Sequence, residues 1–232
     1  MIAICRHDFQ RFFRSPLGYV YLGVFAVIAN LVYFAYCVLS SSSDLSSPFS
    51  FLLTVLLFMT PILTMRLLSE EYRQGTDRLL LTAPVRIWEI VLGKFFAALG
   101  AIVCCLLITV PWLIILICAG TPAWPTIIGC YIAILCASMV FLAIGLFLSS
   151  VTESQLIAAV LSFAVFLGLY LVDALSAAAS GTLASILSWF SIFTRYDTFM
   201  SAQFSFSNVV YFLSLTVLFL FFTARVLERR RQ

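Results

Sequence analysis

The chain has few charged residues. Only 10% of its 232 residues are Asp, Glu, Lys or Arg, whereas 63% are hydrophobic, and a typical soluble domain carries about 25% charged residues. A soluble fold of this length must cover its surface with polar groups, so it could not hide this much apolar side chain. The composition therefore excludes a soluble globular domain. It predicts an all-α integral membrane protein that has the bilayer as its solvent.

Groups that commonly carry catalysis are also scarce. The chain has one histidine, His7, and its seven cysteines form no CxxC pair, which argues against a metal centre or a histidine-based catalytic group. No GxxxxGK[ST] sequence is present, so the chain cannot bind ATP by a P-loop. We therefore expect no enzyme activity and no cofactor on this chain. The net charge of +3 follows from membrane topology and requires no nucleic acid as a partner.

Long stretches without charge show where the chain crosses the membrane, since a spanning helix needs about 20 apolar residues. We predict six transmembrane helices at approximately 17–39, 49–66, 95–118, 125–149, 155–175 and 208–225. The stretch 174–194 is a doubtful seventh, because it contains many serines and becomes amphipathic from Thr182 onward. Such a segment more often lies at the membrane surface than spans. We assign it to a segment between spans five and six, residues 176–207.

The positive-inside rule favours six spans over seven. Arginines and lysines cluster at both termini and between the second and third spans, and six spans place all three clusters on one side. A seventh span would send the C-terminal cluster to the other side. We therefore predict that both termini are cytosolic and that residues 176–207 are extracellular. The expected location is a bacterial inner membrane.

Residues 1–16 are predicted to form an amphipathic helix on the cytosolic membrane surface. Arg6, Gln10 and Arg14 would face water. The side chains expected to face lipid are Ile2, Cys5, Phe9, Phe12 and Phe13. Pro16 then bends the chain into the first span, because proline restricts the residue before it.

Two polar residues within or near the spans are candidates for a function in the membrane. Asn30 lies deep in the first span, where it would form a hydrogen bond between helices or line a pathway. Asp173 lies near the outer end of the fifth span, where an interfacial position is the simpler interpretation. An ion-coupled carrier would need more intramembrane polar groups than these.

The loop at residues 67–94 contains most of the remaining charge. Gly75 suits the end of one helix, and Thr76 suits the start of another, a short helix that contains Leu79, Leu80 and Leu81 and ends before Pro84. Three adjacent leucines outside the bilayer need an apolar surface. That surface is either the lipid or a groove on a cytosolic partner, and the residues alone favour neither. Trp88 and Lys94 are expected at the interface where the third span begins.

Three stretches of the chain resemble ABC-2-type transporter permeases, most closely the gliding-motility-type branch. The most specific one combines Met65-Arg66-Leu67, Glu70-Glu71, Arg73, Gly75-Thr76, Leu79-Leu80-Leu81-Thr82-Ala83-Pro84-Val85 and Trp88-Glu89-Ile90-Val91-Leu92-Gly93-Lys94. Ser15-Pro16-Leu17-Gly18-Tyr19-Val20 and the end of the last span support it. The chain departs from the family pattern at Ala202-Gln203, where a glycine is expected.

The resemblance implies a single transmembrane domain over residues 1–232, with an elbow helix at its start and short extracellular helices between spans five and six. Such permeases pair with a second copy or a paralogous permease and bind two cytosolic ATPases, which hold the ATP and Mg²⁺. A coupling helix, here residues 76–84, sits in a groove of the ATPase. The residues expected to couple to the ATPase are Glu70, Glu71, Arg73, Thr76, Asp77, Arg78, Leu79, Leu80, Leu81, Thr82 and Pro84.

Three functions remain open at this point. The first is an exporter permease driven by a separate ATPase. The second is a mechanotransmission subunit that moves an extracytoplasmic auxiliary partner without carrying a substrate. The third is an ATP-independent membrane scaffold or carrier. Membrane lipid is a further expected partner of the chain.

Overall fold

The computed structural model describes residues 2–40, 44–69, 72, 86–119, 124–178, 192–200 and 206–231. These residues form helices and short connections, with no strand among them. Six helical segments in this part of the chain are long and apolar enough to cross a membrane. In chain order, spans one to six are Pro16–Val38, Ser46–Thr64, Ile87–Cys118, Trp124–Val151, Gln155–Ser176 and Ser207–Arg230. The prediction of an all-α membrane protein with six spans is confirmed.

In the described part of the chain, two shorter helices accompany the spans. The N-terminal helix covers Ile2–Arg14, and a second helix, Ile192–Met200, lies between spans five and six. We call the second one the outer helix. The sequence predicts short helices across residues 176–207. Of these residues, 179–191 and 201–205 lie outside the described part of the chain.

Span three begins earlier than the sequence predicts. The helix starts at Ile87 rather than near residue 95, so residues 87–94 are its first two turns and not part of a loop. Ile90 and Val91 are buried there, and Lys94 is only 2% exposed. An acidic side chain from the N-terminal helix, described below, pairs with Lys94 and offsets the cost of burying its charge.

Span four is the centre of the bundle. In its most apolar window 67% of the residues are buried, against 17% in span five. A helix that is apolar on all sides is typical of such a central position. Its small residues, including Ala133, Ala137 and Gly145, are buried, which allows neighbouring helices to approach closely.

Span three is interrupted by a turn at Ile108 and Thr109, just before Pro111. A proline cannot donate the backbone hydrogen bond that would continue the helix. The Thr109 hydroxyl donates to the Leu106 carbonyl at 2.7 Å and lies 2.8 Å from the Tyr131 hydroxyl of span four. Neighbouring side chains therefore satisfy the polar groups at the break, as membrane helices require.

Candidate functional site at the face that carries the termini

None of the predicted coupling residues is among those that the structure describes. Glu70, Glu71 and residues 73–85, which include the whole predicted helix 76–84, lie outside the described residues. Residues 65–69 and Tyr72 are described, and we call them the loop base. They lie at the end of the bundle that also carries the N-terminal helix and the end of span six, which we call the termini face.

A buried ion pair joins the N-terminal helix to the bundle. The Lys94 ammonium lies 3.3 Å from Oδ2 of Asp8, and the two side chains are 2% and 11% exposed. The same ammonium donates to the Leu67 carbonyl of the loop base at 2.8 Å. Lys94 thus connects the N-terminal helix, span three and the loop base at one point.

The apolar side of the N-terminal helix packs on protein. A Cβ atom added at Gly100 of span three would lie 2.9 Å from the Phe9 ring, so Phe9 sits over this glycine. Phe12 makes an edge-to-face contact with Tyr21 of span one, with ring centres 5.9 Å apart, and Phe13 packs on Phe9 and Phe12. Phe9 and Phe12 are thus partly buried against spans of the same chain.

The polar side of the same helix is exposed. Arg6, Gln10 and Arg14 all have high exposure, as the sequence predicts. An amphipathic pattern shows which side is apolar, but it does not distinguish a lipid surface from the apolar side of a neighbouring helix.

The turn after the N-terminal helix is closed by local hydrogen bonds. Ser15 donates from its hydroxyl to the Phe12 carbonyl at 2.9 Å and accepts from the Gly18 amide at 3.3 Å. Pro16 occupies the first turn of span one, where its missing N–H costs nothing. Gly18 is required because a Cβ there would overlap the Phe12 carbonyl oxygen. These contacts fix the angle between the N-terminal helix and span one.

A buried serine pair holds the loop base to span four. The Ser149 hydroxyl accepts from the backbone amides of Leu68 and Ser69 at 3.3 and 3.2 Å. The Ser69 hydroxyl in turn donates to the Ser149 carbonyl at 3.2 Å. The peptide groups freed where span two ends are therefore satisfied by span four, as buried backbone requires.

The two spans also touch one turn before this serine pair. A Cβ atom at Gly145 would overlap the side chain of Thr64. Glycine at this position brings the backbone of span four against the last turn of span two.

The end of span six covers the loop base from a third side. The Arg230 guanidinium lies 4.3 Å from the centre of the Tyr72 ring. It also donates to the Glu153 carboxylate and to the Val151 carbonyl, both at 3.3 Å. A cation over an aromatic face is attracted to it. The loop base therefore contacts spans three, four and six and, through Lys94, the N-terminal helix.

Asn30 and Asp173 lie away from this face. The Trp112 indole N–H of span three donates to the Asn30 carbonyl oxygen at 3.1 Å, and the Asn30 amide donates to Ala26 at 2.8 Å. Asn30 therefore makes a hydrogen bond between helices. Asp173 accepts from Thr194 of the outer helix at 3.4 Å. Burial raises the pKa of Asp197 on the outer helix, and the nearby Asp173 carboxylate raises it further.

The family of the chain follows from a match over nearly its whole length. A family model described as ABC-2 family transporter protein matches residues 2–231. The chain belongs to the ABC-2 transporter family. A comparison with curated proteins finds no match. Membership and the six spans together make this chain a multi-pass membrane protein and an ABC transporter permease.

The termini face of this ABC-2 permease contains residues that the sequence did not single out for it. Asp8, Ser149 and Arg230 each make a contact that holds the loop base or its neighbours. Two features of the sequence could have indicated the pair of Asp8 and Lys94. Lys94 precedes a long apolar stretch, and Asp8 is an acidic residue in an amphipathic helix. Ser149 gave no signal, since one serine near the end of a span is ordinary. Within the described residues, no group of three or more His, Cys, Asp or Glu side chains could hold a metal ion.

Proposed function

We propose that this ABC-2 permease converts ATP hydrolysis by a separate cytosolic ATPase into movement of its spans, and that this movement exports a substrate. Residues 67–94 would receive the motion of the ATPase. The observation that carries the proposal is the loop base, which is packed on three spans and the N-terminal helix.

The contacts of the loop base explain how such a motion would reach the spans. Ser69 is held by two hydrogen bonds to Ser149, and these atoms are buried. A displacement of the loop cannot be taken up there without breaking buried hydrogen bonds, each of which costs about 1–3 kcal/mol when a partner is left unsatisfied. The motion would therefore be passed to span four and, through Lys94, to the N-terminal helix, which would act as the family's elbow helix.

The proposed setting follows the same orientation. The termini face would be cytosolic because it carries Arg6, Arg14 and Arg230, and the membrane would be the bacterial inner membrane. The chain would pair with a second copy or a paralogous permease. We place it in the gliding-motility-type branch on the resemblance of residues 65–94.

The arrangement of intramembrane hydroxyls favours a second candidate function, mechanotransmission. Five of these hydroxyls bond to carbonyls of their own helix one turn earlier: Thr60 to Leu56, Thr64 to Thr60, Ser138 to Ile134, Thr216 to Phe212 and Thr223 to Phe219. These five are satisfied without water or a substrate, whereas the buried hydroxyls of Tyr21 and Ser162 have no hydrogen-bond partner in the described part of the chain. A subunit that moves an extracytoplasmic partner needs no polar path, whereas an exporter would build its path between two permeases.

The coupling role is tested by Leu80→Asp in the predicted coupling helix. We expect the wild-type chain to copurify from mild detergent with an ATPase, and the variant to lose that ATPase or its stimulation, because an aspartate would be buried unpaired in an apolar groove. Leu183→Asp is the matched control, since it places the same change in the segment predicted on the opposite side. A variant that keeps a fully stimulated ATPase would exclude this coupling role.

The two candidate functions differ in flux. The purified complex in proteoliposomes should move lipid or polymer across the bilayer in an ATP-dependent manner if it is an exporter. ATP hydrolysis without flux, together with an ATP-dependent change in an extracytoplasmic partner, is the result expected for mechanotransmission.

A further inference from the structure

A cavity of about 100 Å³ opens at the termini face, between the N-terminal helix, the end of span two and the start of span three. This volume is well above what a single water molecule needs. Its polar end is lined by three cationic side chains, Arg11, Arg66 and Lys94, and by one carboxylate, Asp8. Among the described lining residues positive charge therefore exceeds negative charge, which favours an anion as the ligand.

Arg66 is a cationic side chain of the cavity for which the described part of the chain supplies no acidic partner. Lys94 is already paired with Asp8. The Nε of Arg66 is buried and has no hydrogen-bond partner, and its guanidinium makes no ion pair within the described part of the chain. A buried donor without an acceptor is costly, and a phosphate oxygen is the acceptor that matches a guanidinium best.

The rest of the cavity lining is largely apolar. It includes Leu17 in the first turn of span one, Ile62 and Leu63 in the last turn of span two, and Ala98 and Ala101 of span three. A free phosphate ion would gain nothing from these apolar side chains. A phospholipid would place its phosphate at the cationic side chains and the first methylenes of an acyl chain on the apolar ones, since a volume of about 100 Å³ holds only a few methylene groups.

We propose that this cavity binds an anionic phospholipid of the leaflet next to the termini face, with its phosphate on Arg66 and its acyl chain along Ile62, Leu63 and Ala98. Arg11 adds positive charge, and Lys94 and Asp8 close the floor of the site. The bound lipid would fill the space between the N-terminal helix and spans two and three, directly beside Leu67 of the loop base. This site is independent of the proposed coupling to an ATPase, because it needs neither ATP nor the loop residues 70–85.

The test uses the full chain, delipidated in mild detergent, and follows its thermal unfolding and native mass spectrum during a titration with phosphatidylglycerol. We expect phosphatidylglycerol to bind and to raise the unfolding temperature. Arg66→Gln should weaken binding about tenfold, since it removes a charge-assisted contact. Arg14→Gln is the matched control, because Arg14 is an exposed arginine at the same face but outside the cavity, and it should bind like the wild type.

Three results would overturn the proposal. Phosphatidylcholine with the same acyl chains could bind as tightly as phosphatidylglycerol, which would remove the preference for an anionic lipid. Millimolar inorganic phosphate could displace the lipid, which would make the site one for the free ion. Arg66→Gln and Arg14→Gln could weaken binding equally, which would leave only a general attraction of basic residues to anionic lipid. Arg66→Lys keeps the charge and should bind the lipid with an affinity between those of the wild type and Arg66→Gln. It tests the same contact if Arg66→Gln fails to fold.

Discussion

The pair of Asp8 and Lys94 can be tested by a double-mutant cycle, because the two residues belong to different helices and meet in a buried place. The variants are Asp8→Asn, Lys94→Met and the two together. Asp8→Asn leaves the Lys94 ammonium, which is only 2% exposed, without its carboxylate. Removing one partner of a buried pair costs about 3–5 kcal/mol. We expect the lower end, about 3 kcal/mol, because the Leu67 carbonyl still accepts from the ammonium.

The double variant should recover most of this loss. Methionine has nearly the volume of lysine and suits the apolar surroundings of position 94, so the buried charge and its desolvation cost disappear together. Lys94→Met alone leaves the Asp8 carboxylate, which is 11% exposed and can reach water more easily. We expect it to cost about 1–2 kcal/mol. The coupling energy of the cycle should be about 3 kcal/mol, which is at the upper end of the range found for residues in contact.

Denaturant or thermal unfolding of the purified chain in detergent measures these free energies. Glu153→Gln is the control for loss of one charge at the same face, because Glu153 is 77% exposed in its pair with Arg230, and it should change stability by less than about 1 kcal/mol. Additive effects of the two single changes, or an Asp8→Asn variant as stable as the wild type, would show that the pair does not hold the N-terminal helix.

Two further variants test the contacts between spans two and four. Gly145→Ala should lower stability by about 1–3 kcal/mol, because the new methyl group overlaps Thr64. Gly168→Ala is the control: its Cβ meets nothing within 4 Å, so it should leave the melting temperature of the detergent-solubilised chain unchanged. Equal losses in the two variants would contradict the close approach of spans two and four. Ser149→Ala removes the acceptor of two backbone amides and should lower the free energy of unfolding by about 2 kcal/mol. If the variant melts like the wild type and keeps full ATPase stimulation, Ser69 and Ser149 do not transmit the motion of the loop.

The positions of the spans could be predicted from the sequence because charge is expensive in the bilayer, so charge-free stretches mark the helices directly. The start of span three could not, because that rule treats Lys94 as a boundary. Whether a lysine ends a span depends on a tertiary partner, and Asp8 lies far from it in sequence. The same limit applies to Phe9, whose apolar character was clear but whose neighbour, Gly100, only the fold supplies.

The candidate site could also be predicted only in part from the sequence. The segment 67–94 was predicted as a coupling loop from its charge and from Leu79, Leu80 and Leu81, which are local features of the sequence, and its last eight residues belong to span three. The groups that hold its base, Ser149 and Arg230, belong to other spans, and a single serine or a C-terminal arginine has too many ordinary roles to be singled out. The structure of the coupling helix stays a prediction.

Span two is fixed at both of its ends. At the termini face its continuation is held by Ser149, and at the opposite face the Tyr196 hydroxyl of the outer helix donates to the Phe49 carbonyl at 3.0 Å. The helix between them, Ser46–Thr64, is uninterrupted and about 28 Å long at the usual rise per residue. Span two is thus one helical segment, with Pro61 in its last turn, that connects the loop base at one face of the bilayer to the outer helix at the other.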